Sequence, residues 1–263
     1  MSENISLPKP YKITDIIKET EIEYTFRVEA DLEVEHGQFF QISLPKVGEA
    51  PISISGIGDN WLEFTIRKVG KVTNEVFELE VGENLFMRGP YGSSFPINEY
   101  KDKDLVVIAG GTGVSPVRST LKYFYENSDS IKSLYLIAGF KDEDSILFEE
   151  DLEKFKSEFN TIYTLDKEKI DGFEVGFVTD HIAKVPFDSF ENYNVIIVGP
   201  PVMMDAAAKE VLKNGVVEEK IWVSFERKMS CAIGKCGHCK IDETYVCLEG
   251  PVFNYTKAKD LLD

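Results

Sequence analysis

Leu105-Val106-Val107-Ile108-Ala109-Gly110-Gly111-Thr112-Gly113-Val114-Ser115-Pro116 is the stretch on which the fold turns. The first five residues are apolar without alternation, as expected of a strand buried on both faces. Ser115 suits a helix N-cap and Pro116 the first helical position, so a helix is expected over residues 116–126. Strand, glycine turn and helix N-terminus in succession give free backbone N–H groups and the positive end of a helix dipole. Gly110, Gly111, Thr112 and Gly113 are therefore candidate contacts for a dinucleotide pyrophosphate. Pro116 stands where the G-x-G-x-x-G fingerprint has its third glycine, and a purely structural tight connection is the other reading.

Toward the C-terminus the pattern repeats. Strands are expected over 133–138, 161–165 and 195–198, helices over 146–159 and 202–213, and a strand over 220–224 that closes the sheet. Alternating strands and helices define an α/β domain with a parallel sheet, placed over residues 100–224. A second glycine turn, Gly199-Pro200-Pro201-Val202-Met203-Met204, follows the strand ending at Val198. It is expected at the carboxyl edge of the same sheet, where open α/β folds bind ligands. Gly199, Pro200 and Met203 join the candidate contacts; the two methionines also read as core filling.

Toward the N-terminus, residues 1–99 read as strands at close spacing: 11–17, 23–28, 38–44, 51–55, 61–67 and 84–88, broken by Gly and Pro. This is the pattern of a small antiparallel barrel, with one short helix over 73–79.

Beyond the α/β domain, residues 225–263 are too few for a domain and hold all four cysteines, Cys231, Cys236, Cys239 and Cys247, spaced C-x4-C-x2-C-x7-C. Four thiolates can complete a 2Fe–2S cluster, and x4 followed by x2 is the plant-type ferredoxin spacing. Ala232, Gly234 and Gly237 suit a loop that wraps a cluster with its N–H groups. Structural zinc and disulfides are the alternatives. His238 reads as a solvent-facing neighbour of the ligands. His36, His181 and His238 form no evident triad or metal set, and no catalytic acid, base or nucleophile is assigned.

The formal net charge of −17, from 29 Lys and Arg against 46 Asp and Glu, repels phosphate backbones and anionic lipid. Nucleic acid and membrane are set aside as partners. No apolar run reaches membrane-spanning length. Met1-Ser2-Glu3-Asn4 does not open a secretory signal. A cytoplasmic location is expected, and there cysteines serve metal or redox chemistry more often than disulfides.

The order of barrel, Gly-Gly-Thr-Gly-Val-Ser-Pro and Gly-Pro-Pro-Val-Met-Met resembles the ferredoxin–NADP reductase superfamily. The cysteine segment narrows the likeness. Residues 226–231 (Glu-Arg-Lys-Met-Ser-Cys), 234–239 (Gly-Lys-Cys-Gly-His-Cys) and 245–253 (Tyr-Val-Cys-Leu-Glu-Gly-Pro-Val-Phe) are similar to anaerobic sulfite reductase B subunits. They also resemble the gamma subunits of cytoplasmic hydrogenase/sulfur reductases and, more distantly, the electron-transfer subunits of dihydroorotate dehydrogenase B. The resemblance implies FAD on the barrel. The family's Arg-x-Tyr/Phe-Ser/Thr motif falls on Ala50-Pro51-Ile52-Ser53, which keeps the serine but has neither the arginine nor the aromatic. It implies a second phosphate contact at Gly70-Lys71-Val72-Thr73, where Thr73 also reads as an ordinary helix cap. Arg67 or Lys71 stands in for the missing cation. Arg88-Gly89-Pro90-Tyr91-Gly92 matches the family's barrel-closing turn.

The resemblance further implies electron transfer from NADH through FAD and the cluster to the catalytic and ferredoxin-like subunits of a reductase complex, with sulfite as terminal acceptor. Hydrogenase-type and dihydroorotate-dehydrogenase-type partners are the alternatives. A zinc-stabilised, nucleotide-binding regulatory module is the reading from another class. Asp166, after the strand 161–165, stands where NADPH enzymes of the superfamily place a serine. It implies a preference for NADH, though a solvated Asp166–Lys167 turn is the plainer reading.

Overall fold

The computed structural model describes residues 7–261, so Met1-Ser2-Glu3-Asn4 lies outside the described residues. The chain divides into two compact units. One runs to Ser94 and takes in Glu226–Pro251; the other is Phe95–Phe225 with the residues from Val252 onward.

The first unit is built on β1 (Lys9–Lys18), β2 (Glu23–Glu29), β3 (Phe39–Leu44), β4 (Gly48–Gly58), β5 (Trp61–Arg67) and β6 (Asn84–Tyr91). They close into an antiparallel barrel in the order β1-β2-β5-β4-β3-β6, with β6 paired back to β1. Period-2 alternation decides the faces. Phe26, Val28, Phe40, Ile42, Ile54, Leu62, Phe64 and Ile66 point inward into one core. Thr25, Glu63 and Ser55 come from the alternate positions and are also fully buried. They are satisfied in a side-chain network: Thr25 Oγ1 lies 2.8 Å from Thr65 Oγ1, Thr65 Oγ1 donates to Ser55 Oγ at 2.9 Å, and Arg27 donates twice to Glu63. Register shifts at Ile13/Asp15, Phe39/Gln41 and Ile54/Gly56 supply the local bends a closed barrel needs.

α1 (Lys71–Val76) follows β5. It begins two residues before the expected start, because Thr73 caps from inside the first turn: its hydroxyl accepts from the Val69 and Gly70 amides, each at 3.0 Å. The cysteine segment of this unit carries the hairpin β13 (Lys240–Ile241) and β14 (Thr244–Tyr245) and the single turn α6 (Val246–Glu249).

The second unit contains α2 (Ile97–Tyr100), β7 (Asp104–Gly110), α3 (Val114–Glu126), β8 (Ser133–Phe140), α4 (Glu149–Phe155), β9 (Asn160–Leu165), β10 (Glu174–Val175), β11 (Tyr193–Val198), α5 (Pro201–Lys213), β12 (Ile221–Ser224), β15 (Val252–Asn254) and α7 (Tyr255–Ala258). Its sheet has the order β10-β9-β8-β7-β11-β12-β15. All pairings are parallel except the last. Every residue of β7 is buried, as its unalternating apolar run requires.

Three expectations need correction here. The strand ending at Ser224 does not close the sheet; β15 adds beyond it, antiparallel, from a stretch too short to show a period. The helix expected over 146–159 shrinks to α4, because Phe148 adopts a left-handed backbone (φ 59°) and its buried ring stops the helix from starting earlier. The helix expected from Pro116 begins at Val114, straight out of a 3-10 turn over Gly111–Gly113. Ser115 is thus inside the helix and not its cap. Pro116 is tolerated there because first-turn N–H groups have no intrahelical partner.

Candidate functional site: a dinucleotide edge, a polar barrel face and a cysteine loop

In the second unit, β7 and β11 are neighbours although three strands separate them in the chain. Strand order reverses between them, and a crevice opens beyond the carboxyl ends of such a pair. Both glycine turns lie there. A Cβ at Gly113 would meet the Val198 carbonyl oxygen at 2.5 Å and the Gly199 Cα at 2.6 Å. The Met203 thioether of α5 packs against both Gly110 and Gly199. Gly111, at φ +53°, has nothing within 4 Å of its Cβ position. The structure therefore brings Gly110, Gly111, Thr112, Gly113, Gly199 and Met203 together. It leaves Gly111 open at the N-terminus of α3, the thirteen-residue helix, which suits a diphosphate. Pro200 is the residue before α5.

Asp166 follows β9, two strands from β7. Its amide donates to the Phe140 carbonyl at 3.1 Å, tying together the ends of β8 and β9. Its carboxyl is held above the ordinary value by burial and by Asp142, while Lys167 and Lys141 oppose the shift. Asp142 did not stand out in the sequence, because only the register of β8 beside β9 places it there.

In the first unit, Pro51, Ile52 and Ser53 lie on β4, paired with Gln41, Phe40 and Phe39 of β3. Ser53 is 6 % exposed, and its hydroxyl donates to Glu226 Oε1 at 3.4 Å. Arg67 is engaged by Glu23 at 3.1 Å. Lys71 is exposed at the start of α1, Val72 packs against the start of β4, and Gly70 has open space on its side-chain side. The Thr73 hydroxyl is committed to the backbone of residues 69 and 70. Of the sequence-predicted flavin residues, Lys71 is thus exposed and Gly70 faces open space, while Ser53 is buried against Glu226.

Cys231 lies beside Cys236 and Cys239 beside Cys247, Cys231 is close enough to act on Cys247 as well, and none is in a disulfide. Cys239 and Cys247 are buried, Cys236 is exposed. Burial, with Cys239 alongside, pushes the Cys247 thiol up to about 12. The His238 amide and the Cys231 sulfur draw the Cys236 thiol below its usual value. Ala232, Gly234 and Gly237 all have positive φ, 60°, 67° and 77°. These left-handed residues curl the loop so that backbone N–H groups face sulfur. Lys235 and Cys236 donate to Cys231 Sγ at 3.3 and 3.4 Å, and Gly234 donates to Cys247 Sγ at 3.4 Å. Among the described residues no three His, Cys, Asp or Glu side chains converge on a single ion. Cysteines wrapped by backbone amides in this way suit an iron–sulfur cluster.

A closed antiparallel barrel followed by a parallel sheet with a dinucleotide edge is the ferredoxin–NADP reductase-like fold. An NADH-dependent reduced ferredoxin–NADP oxidoreductase has the same fold: TM-score 0.79 at 21% identity, covering 98% of this chain and 91% of that one. The oxidoreductase NAD-binding domain model matches residues 107–209. The iron–sulfur cluster binding domain of dihydroorotate dehydrogenase B matches residues 226–259. Sulfhydrogenase 2 subunit gamma of Pyrococcus furiosus is 32% identical over 98% of this chain and 93% of its own. A probable dihydroorotate dehydrogenase B (NAD(+)) electron transfer subunit of the same organism is 33% identical, over 97% and 91%. The chain belongs to this family, that of sulfhydrogenase gamma subunits and dihydroorotate dehydrogenase B electron-transfer subunits. It carries an oxidoreductase NAD-binding domain and an iron–sulfur binding domain. Among the described residues no helix is long and apolar enough to cross a membrane.

Proposed function

We propose that this chain is the cytoplasmic electron-transfer subunit of an NADH-linked reductase complex, with FAD on its barrel and a 2Fe–2S cluster on Cys231, Cys236, Cys239 and Cys247. Bound FAD would supply the link between a two-electron hydride donor and a one-electron cluster. The observation that carries the reading is the cysteine loop whose backbone N–H groups donate to Cys231 Sγ and Cys247 Sγ. The chain's own residues bind and orient. Gly110 to Gly113 with Gly199 and Pro200 receive the dinucleotide pyrophosphate at the positive end of α3. Met203 fills the space behind the two glycine turns. Ser53, with Glu226 beyond it, offers a polar edge to the flavin ring, bordered by Pro51 and Ile52; Gly70, Lys71 and Val72 border its phosphates. Arg67 supplies a further cation near that face, shared with Glu23, and Thr73 keeps α1 in place. The terminal acceptor in this reading is a partner subunit that reduces sulfite to sulfide. The likeness to sulfhydrogenase gamma subunits favours a second partner, a hydrogenase.

The test is anaerobic purification of the full chain. Visible absorption, chromatography of the released flavin and electron paramagnetic resonance of the reduced protein should show FAD and one 2Fe–2S centre. Cys236→Ser should abolish or severely perturb the resonance signal. A colourless, iron-free protein after reconstitution with iron and sulfide sinks the reading. Co-purification with a tagged chain, followed by sulfite- and hydrogen-linked assays, separates the two partners.

A further inference from the structure

Gln41 of β3 and Arg88 of β6 are register partners on neighbouring strands of the barrel. Gln41 is fully buried and Arg88 is 8 % exposed. Buried amides and guanidinium groups must find acceptors. These two find them on three consecutive carbonyls of the cysteine segment. Gln41 Nε2 donates to the Met229 carbonyl, Arg88 Nη2 to that of Ser230 at 3.4 Å, and Arg88 Nη1 to that of Cys231 at 2.9 Å. The rest of the guanidinium fork is held by Glu49 at 2.6 and 2.9 Å, and Nη1 also reaches the Tyr91 hydroxyl at 3.1 Å. All these residues belong to the first unit.

The carbonyl dipoles leading into the first cysteine are thereby turned toward the barrel wall. The polar groups that meet Cys231 Sγ are instead the amides of Lys235 and Cys236. The next residue, Ala232, is buried at φ 60°. A non-glycine residue keeps such a backbone only where its surroundings over-determine it. Bonds to the three preceding carbonyls are one such constraint. Lysine could not replace this arginine, since the pattern uses a planar fork to reach two carbonyls and a carboxylate at once.

We propose that Arg88 and Gln41 are positioning residues that fix the first cysteine of the iron–sulfur segment, and that the Arg88–Glu49 pair sets the charge felt at the cluster. The charge part rests on the cluster reading above; the positioning part does not.

Two measurements on the full chain separate these parts. In metal-free protein, amide hydrogen exchange over residues 229–238 should be about tenfold faster in Arg88→Met than in wild type, as expected for loss of hydrogen bonds from a charged donor. Peptides from β7 and β8 should not change. Equal exchange over 229–238 overturns the positioning role. In reconstituted protein, potentiometric titration followed by electron paramagnetic resonance should give a lower cluster potential for Arg88→Met, because a positive charge that favours the reduced form is gone. Glu49→Gln should raise the potential, because the guanidinium loses its counter-charge. Unmoved potentials, or shifts of the same sign, overturn the charge role. If circular dichroism shows Arg88→Met unfolded, Arg88→Lys replaces it: faster exchange with a potential near wild type is expected, and wild-type exchange overturns the positioning role. Wild-type protein that takes up no iron and sulfide defeats the cluster reading and with it the charge role, while exchange still decides the positioning role.

Discussion

A methyl group on Gly113 would stand 2.5 Å from the carbonyl oxygen of Val198, the last residue of β11. The two glycine turns are thus in backbone contact at the point where the strand order of the sheet reverses. Both neighbours are backbone, so neither can step aside as a side chain would. Gly113→Ala should cost about 2–3 kcal/mol of stability, as overpacking against an immovable partner does. Gly111→Ala meets open space and pays only for its φ of +53°, about 1 kcal/mol. Denaturant midpoints of the two variants check the order. Equal losses would show that the close approach is not what selects glycine at position 113.

The same contact shows why this part of the fold was legible. An unbroken apolar run, three glycines and a proline each have one dominant structural reading, and they agree. The barrel was legible for a similar reason, since strands such as β2 and β5 alternate over seven residues. What escaped was set by contacts remote in sequence. Arg88 reaches carbonyls 142 and 143 positions away, Gln41 one 188 away, and Ser53 reaches Glu226 over 173. No local period encodes such meetings. β15 has three residues, too few for any pattern. The late start of the helix expected over 146–159 depends on the backbone of Phe148, which an apolar side chain does not announce.

Phe148 is tied to a further prediction. The Arg118 guanidinium lies 4.5 Å from its ring centroid and donates through Nε to Asp151 Oδ2 at 2.6 Å. Both charged side chains are largely buried, at 7 % and 12 % exposure. Removing one partner leaves an uncompensated charge in the interior. Arg118→Met should therefore cost about 3–5 kcal/mol. The double variant Arg118→Met/Asp151→Leu should lose clearly less than the sum of the single losses, because no charge is then stranded. Additive losses would mean that the two groups are not coupled.

Burial of His36 lowers its pKa from 6.5 to about 4, against a smaller upward pull from Glu35. Between those values the unfolded chain binds a proton that the folded chain does not. The stability linked to His36 is therefore complete above pH 6.5 and is lost as pH falls through about 4. With allowance for the partial exposure of the ring, the loss is about 2 kcal/mol. His36→Gln has no such proton to take up. Its melting temperature should fall less than that of wild type between pH 7.5 and pH 4.5. Parallel falls would show that His36 titrates normally in the folded chain.

In the proposed function, the choice between NADH and NADPH is assigned to the carboxyl edge of β9. Asp166 sits there with Asp142 close enough to raise its carboxyl further, after burial, which is the larger cause. Lys141 and Lys167 act in the other direction. A carboxylate accepts hydrogen bonds from a ribose hydroxyl and repels a 2′-phosphate. A lone lysine offers no bidentate fork to hold that phosphate. Wild type should therefore have the higher kcat/KM with NADH, measured by steady-state reduction of an artificial acceptor. In Asp166→Ser the hydroxyl acceptor and the repulsion both weaken while the two lysines remain. The NADH-to-NADPH ratio should fall by about 10- to 100-fold, the range expected when a like-charge contact is removed. Asp142→Asn alone should move the ratio the same way by less, since Asp142 acts on the site through its neighbour. A wild type that favours NADPH overturns the assignment. If wild type favours NADH but Asp166→Ser leaves the ratio untouched, the preference stands and its cause lies elsewhere on the sheet edge.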